Sequence, residues 1–164
     1  GGKSICYQTP ALMLPGITLV ISPLISLMQD QVAALKAAGI PAAYINSTLS
    51  GPQIQAVYRN LIAGRYKIVY VAPERLESDE LVTLAHSIPV PLVAVDEAHC
   101  VSQWGQDFRP SYMKIVEFVK MLEERPILSA FTATATETVR EDIVCTLGLN
   151  DPDIVVTGFD RENL

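Results

Sequence analysis

Two short stretches of this chain carry residue types that handle phosphate. Gly1-Gly2-Lys3-Ser4 has the form of the closing half of a phosphate-binding loop, G-x-x-x-x-G-K-[ST], and opens an amphipathic segment reaching Leu14. Free amides and the dipole at a helix N-terminus favour an anion there, so Gly1, Gly2, Lys3 and Ser4 are candidate phosphate ligands. In a complete loop Lys3 would reach the β- and γ-phosphates and Ser4 would hold Mg²⁺. The second stretch, Asp96-Glu97, puts two carboxylates side by side after the apolar run 92–95. Adjacent buried acids are costly unless a cation or a reacting proton balances them. Asp96 therefore suits Mg²⁺, directly or through water, and Glu97 suits deprotonating the water that attacks a γ-phosphate. Alone, the first stretch could be a surface turn and the second an exposed strand end. Together they read as the two halves of a nucleotide site.

Such a site needs elements to hold it. Apolar, β-branched runs recur at 17–21, 42–45, 67–71, 92–95, 127–131 and 154–156, and helical periodicity marks 24–36, 53–62, 112–122 and 137–147. This alternation predicts an α/β domain with a mostly parallel sheet and helices on both faces. Gly39 and Pro41 end one helix, while Ser50 and Pro52 start the next. Leu27, Met28, Met113 and Met121 sit at helical spacing and are read as core, and the pair Tyr7-Gln8 as packing and capping of the first helix. In parallel sheets ligands gather beyond the carboxyl ends of the strands. There the chain places Ser22-Pro23, Ala72-Pro73-Glu74-Arg75, Asp96 to His99 and Thr132-Ala133-Thr134.

Composition narrows the field. The 164 residues suffice for about one domain, and 49% hydrophobic with 18% charged residues excludes disorder. No apolar run reaches the roughly 18 residues of a membrane span, so no membrane partner and a cytoplasmic location, nucleoid-associated if bacterial, are expected. Cys6, Cys100 and Cys145 show no C-x-x-C spacing, and His86 and His99 are scattered, which argues against a zinc cluster. The net charge of −6 has the wrong sign for a broad basic nucleic-acid face. Any DNA contact must be local, through hydroxyls, amides and aromatic faces.

From here the residues resemble a known family. Asp96-Glu97-Ala98-His99 is similar to the D-E-A-H box of superfamily 2 helicases, and "CVSQWGQDFRPSY" at 100–112 resembles the aromatic-rich loop of RecQ DNA helicases. The stretches "SPLISLMQDQV" at 22–32, "YVAPERL" at 70–76, "FTATAT" at 131–136 and "GFDRENL" at 158–164 are similar to further motifs of that family. The resemblance implies a three-layer, RecA-like P-loop NTPase domain that lacks the strand before its P-loop. It assigns 1–157 to the first RecA-like domain of an ATP- and Mg²⁺-dependent 3′-to-5′ DNA helicase and 158–164 to the junction with a second one. By the same resemblance, Lys3, Asp96, Glu97 and His99 serve catalysis, His99 bridging the γ-phosphate side to the Thr132 segment.

Ser22, Gln29, Arg75, Gln103, Trp104, Phe108 and Arg109 are assigned to single-stranded DNA, and Gln106, Asp107, Thr132 and Thr134 to coupling of DNA with hydrolysis. Trp104 and Phe108 offer faces for base stacking, with burial as core anchors the alternative for each. For Ser22 the alternative is a helix cap; for His99 it is an imidazole packed at the sheet edge. Gln106 stands where many members carry His, and Gln takes up no proton near neutral pH. Glu162 replaces a common Pro.

Overall fold

The computed structural model describes residues 2–157; the expectations for Gly1 and for 158–164 lie outside these. Five strands, β1 Thr18–Ile21, β2 Ala42–Ile45, β3 Ile68–Val71, β4 Leu92–Val95 and β5 Ile127–Ala130, form one sheet in the order β2-β3-β1-β4-β5. All its pairings are parallel. Every residue of β1, β3 and β4 is buried, the pattern of strands covered on both faces, whereas the edge strand β5 is half-open, with Ile127 62% exposed.

Six helices cover it: α1 Lys3–Met13, α2 Ile25–Ala37, α3 Gly51–Ile62, α4 Asp79–Ser87, α5 Met113–Met121 and α6 Glu137–Leu147. Because side chains alternate along a strand, two cores form. Tyr7 and Ala11 of α1 and Met28, Val32 and Leu35 of α2 pack on Val20, Tyr70 and Ala94. Helices α3 to α6 cover the other face, on Leu19, Ile21, Val69, Val71, Val93 and Val95. The expected three layers are present.

Local chemistry sets the boundaries. Ser50 and Gln53 form a reciprocal capping box at α3. Gly39, at φ 77°, follows the end of α2. Several expectations need correction. The run 154–156 forms no strand: Ile154, Val155 and Val156 are exposed and pair with nothing among the described residues, and a β-branched run becomes a strand only beside a partner. Helix α4 was missed although Leu81, Leu84 and Ala85 form its buried stripe. Met113 and Met121 are 40% and 43% exposed rather than core, since Ile115, Phe118 and Val119 fill the inner face of α5. Gln8 caps nothing; its side-chain amide donates to Gln31 and to the Tyr70 hydroxyl, tying α1 to α2 and β3.

Candidate nucleotide and nucleic-acid site

The strand register aligns Ile21, Val71 and Val95 in neighbouring strands and Val95 with Ala130. The residues that follow them, Ser22, Ala72-Pro73, Asp96 and Phe131-Thr132, therefore line one edge of the sheet. Helix α1 starts with Gly2 at φ 98°, with no side-chain cap and no acid in its first turn. The Ile5 N–H donates to the Gly2 carbonyl at 3.2 Å, and among the described residues the amides of Lys3 and Ser4 are left for another acceptor. Lys3 and Ser4 are half-buried there, and the positive charge of Lys3 is felt at the Asp96 carboxyl. Of the two stretches, Lys3 and Asp96 thus lie near enough for their charges to interact.

Asp96 is buried, and that desolvation raises its pKa above the usual carboxylate range; the Glu97 N–H, donating to Oδ1 at 3.0 Å, opposes the rise, the Glu97 charge adds to it, and Lys3 and His99 reduce it. A buried carboxylate at a strand end is a hard oxygen ligand of the kind suited to Mg²⁺. From below, the buried Tyr112 hydroxyl donates to the Asp96 carbonyl at 2.8 Å. Nothing in the sequence pattern singled out Tyr112.

Glu97 sits at φ 48°, ψ 45°, a left-handed conformation rare for a residue with a Cβ and costly by about 1–2 kcal/mol. It directs the carboxylate to within 3.3 Å of His99 Nδ1, and the same nitrogen lies 2.8 Å from the Thr132 hydroxyl. Thr132 Oγ1 also accepts the Thr134 N–H at 3.2 Å. His99 is neither free nor merely packed at the edge: it joins the loop after β4 to the loop after β5.

His99 Nε2 faces Asp107 Oδ2 at 4.0 Å, and the buried Cys100 thiol donates to the same oxygen at 3.7 Å. One donor atom from each of these three residues falls within 4.8 Å of the others, closer than their sequence separation suggested. Burial, then the Asp107 charge, pushes the Cys100 thiol up to about 11, so it is a protonated donor there. Cys6 and Cys145 are exposed.

The aromatic segment divides. Trp104 is 75% exposed, which rules out the core-anchor alternative; Phe108 is half-buried. Gln103, Gln106 and Asp107 are exposed, and Arg109 lies 3.5 Å from Asp107. Ser22 is buried with an unpartnered hydroxyl and caps no helix, so its cap alternative fails. Gln29 is exposed on α2. Arg75 is turned to the carbonyl of the buried Asn46 at 3.5 Å. Asn46 is a further polar residue at this edge that the sequence did not reveal; its Oδ1 accepts both the Thr48 N–H and hydroxyl.

Against this geometry, the sequence model of the DEAD/DEAH box helicase family matches residues 1–142. The chain belongs to that family. Along all 164 residues it is 57% identical to the ATP-dependent DNA helicase RecQ of Bacillus subtilis (strain 168), and it spans 28% of that protein. Over 165 residues, 99% of the chain, it is 43% identical to the mouse bifunctional 3′-5′ exonuclease/ATP-dependent helicase WRN, of which it spans 11%. The RecQ resemblance carried by the aromatic segment is borne out. Among solved structures, the helicase MrfA bound to DNA aligns over 90% of the chain and 21% of its own, with TM-score 0.68 and 19% identity. The Pyrococcus furiosus Hef helicase domain aligns over 90% and 31%, with TM-score 0.66 and 19% identity. At that identity the likeness concerns the fold alone.

Proposed function

We propose that this DEAD/DEAH domain is the ATP-binding half of a RecQ-type DNA helicase motor, which couples ATP hydrolysis to 3′-to-5′ movement along single-stranded DNA and duplex unwinding in cytoplasmic DNA repair or recombination. One juxtaposition supports the reading: an uncapped helix start bearing Lys3, whose charge reaches the buried Asp96, with the strained Glu97 beside that carboxylate. Residues 1–157 form this motor half, and 158–164 lead to a second RecA-like domain. The phosphates of ATP would lie on the α1 amides and Lys3. Ser4 and Asp96 would hold Mg²⁺, which neutralises the charge of the phosphates. Glu97 takes the proton of the attacking water. His99 and Thr132, with Thr134, Gln106 and Asp107, relay occupancy of the DNA track, made by Ser22, Gln29, Arg75, Gln103, Trp104, Phe108 and Arg109.

The test is DNA-stimulated ATPase of the polypeptide extended through the second motor domain, wild type against Glu97→Gln. Removing a general base is expected to lower kcat by about 10²–10⁴-fold. ATP binding, followed with a fluorescent nucleotide, should remain. An unchanged kcat would remove Glu97 from catalysis and favour a non-catalytic module that keeps the fold, while equal stimulation by RNA would point to an RNA-directed motor.

A further inference from the structure

The exposed Trp104 needs a support, because a stacking platform that swings freely loses the advantage of preorganisation. Its backbone N–H donates to the Ser102 hydroxyl at 3.2 Å, and that hydroxyl donates to Asp142 Oδ2 at 2.6 Å. The other oxygen, Asp142 Oδ1, accepts the Thr146 hydroxyl at 3.2 Å. Ser102 is fully buried, although Trp104 two residues on is open to solvent. The turn closes tightly on this anchor: the Gly105 N–H donates to the Ser102 carbonyl at 3.2 Å, and a Cβ at Gly105 would stand 3.0 Å from the His99 carbonyl. A short O–H···O⁻ bond to a carboxylate held at both oxygens is a strong and directional one.

We propose that Asp142 on α6 is a positioning residue for the Trp104 turn, fixing the DNA-stacking ring through Ser102 and tying its position to the β5–α6 segment that contains Thr132. This rests on the DNA-helicase reading for the role of Trp104. Helix α6 is capped by Thr136, four residues beyond Thr132, and the segment after β5 joins the loop after β4 through two side-chain links, Thr132 to His99 and Asp142 to Ser102, beside the Ala98 N–H that donates to the Phe131 carbonyl at 2.9 Å. A shift of that segment on nucleotide binding would then carry the turn with it. Asp142 itself contacts neither substrate; it acts through Ser102. The inward face of α6 is built by Val139, Ile143 and Leu147, so the helix keeps its packing when Asp142 is changed.

The experiment uses the extended polypeptide with Trp104, the single tryptophan of these 164 residues, kept as its sole tryptophan, any outside them being replaced by Phe. Time-resolved anisotropy of Trp104 without DNA should show a more mobile ring in Asp142→Ala and in Ser102→Ala, no further loosening in the double variant, and near wild-type behaviour in Asp142→Asn, which keeps an acceptor. In the same set, the DNA concentration for half-maximal ATPase should rise about tenfold in Asp142→Ala, the size of one hydrogen bond to a charged group, with DNA-free ATPase unchanged. Wild-type anisotropy in Asp142→Ala, or equal mobility in Asp142→Ala and Asp142→Asn, overturns the assignment. If the wild type shows no stimulation by DNA, the helicase reading fails while the anisotropy still decides for or against Asp142.

Discussion

His99 Nδ1 and the Thr132 hydroxyl lie 2.8 Å apart, joining the loop that ends β4 to the loop that ends β5. Glu97 Oε2 is 3.3 Å from the same nitrogen, so the carboxylate proposed to activate water and the hydroxyl of the neighbouring loop share one imidazole. Thr132→Val keeps the shape and removes the hydrogen bond. Stability should fall by about 1 kcal/mol, the net value of one such bond. Stimulation of ATPase by DNA should fall more, by about tenfold, while nucleotide affinity holds. Steady-state kinetics with and without single-stranded DNA check this split.

The backbone of Glu97 gives a second expectation. Its left-handed φ of 48° is easy for glycine and unfavourable for glutamate. Glu97→Gly should therefore stabilise the domain by about 0.5–1 kcal/mol in urea denaturation and abolish hydrolysis. Strain retained at a working carboxylate is the usual form of a trade between stability and activity. A variant that is destabilised instead would show that the glutamate side chain, through His99, contributes more than its backbone costs.

Residue by residue, the sequence disclosed what repeats locally and concealed what meets across space. The runs of β1, β3 and β4 were legible because a strand covered on both faces is apolar throughout, and Lys3, Asp96 and Glu97 stood out as candidates because phosphate chemistry favours their types. Helix α4 was hidden by its brevity and its polar first turn, although Leu81 and Leu84 carried the period. The run 154–156 misled because β-branched composition states a preference that only a neighbouring strand fulfils. Ser102 and Asp142 stand 40 residues apart, and no spacing rule connects them. Exposure of Trp104 and burial of Ser22 likewise depend on how loops fold back on the sheet edge, which composition does not encode.

Burial of Asp96 has a consequence for pH. Its carboxyl is raised above the unfolded value, so the folded state binds more protons than the unfolded chain in the interval between the two. The stability linked to this group is fully present below the ordinary carboxylate pKa of about 4 and is lost as pH rises through the folded value. Asp96→Asn escapes that loss. The melting temperature of the variant minus that of wild type, measured without Mg²⁺ or nucleotide, should grow from pH 4 to pH 7, at about 2–4 °C for each kcal/mol. Adding Mg²⁺ and ATP should reverse the order, because only the wild type offers the cation the Asp96 carboxylate. A difference that is flat with pH would mean that Asp96 titrates normally.

Trp104 supplies the sharpest division between binding and catalysis. The indole is 75% exposed, and no described residue depends on it for packing, so Trp104→Ala should leave thermal stability and DNA-free ATPase close to wild type. Stacking of a base on an aromatic ring contributes about 1–3 kcal/mol, which corresponds to a rise of about 5–150-fold in the DNA concentration needed for half-maximal stimulation. Trp104→Phe retains a flat face and should recover most of the loss, whereas Phe108→Ala, at a half-buried site, should lower stability as well. The chain's net charge of −6 leaves little general attraction for DNA, so removing one stacking face should be felt strongly rather than masked by a basic surface. If Trp104→Ala and wild type need the same DNA concentration, the ring lies off the DNA track, and the path must run instead along Ser22, Gln29 and Arg75.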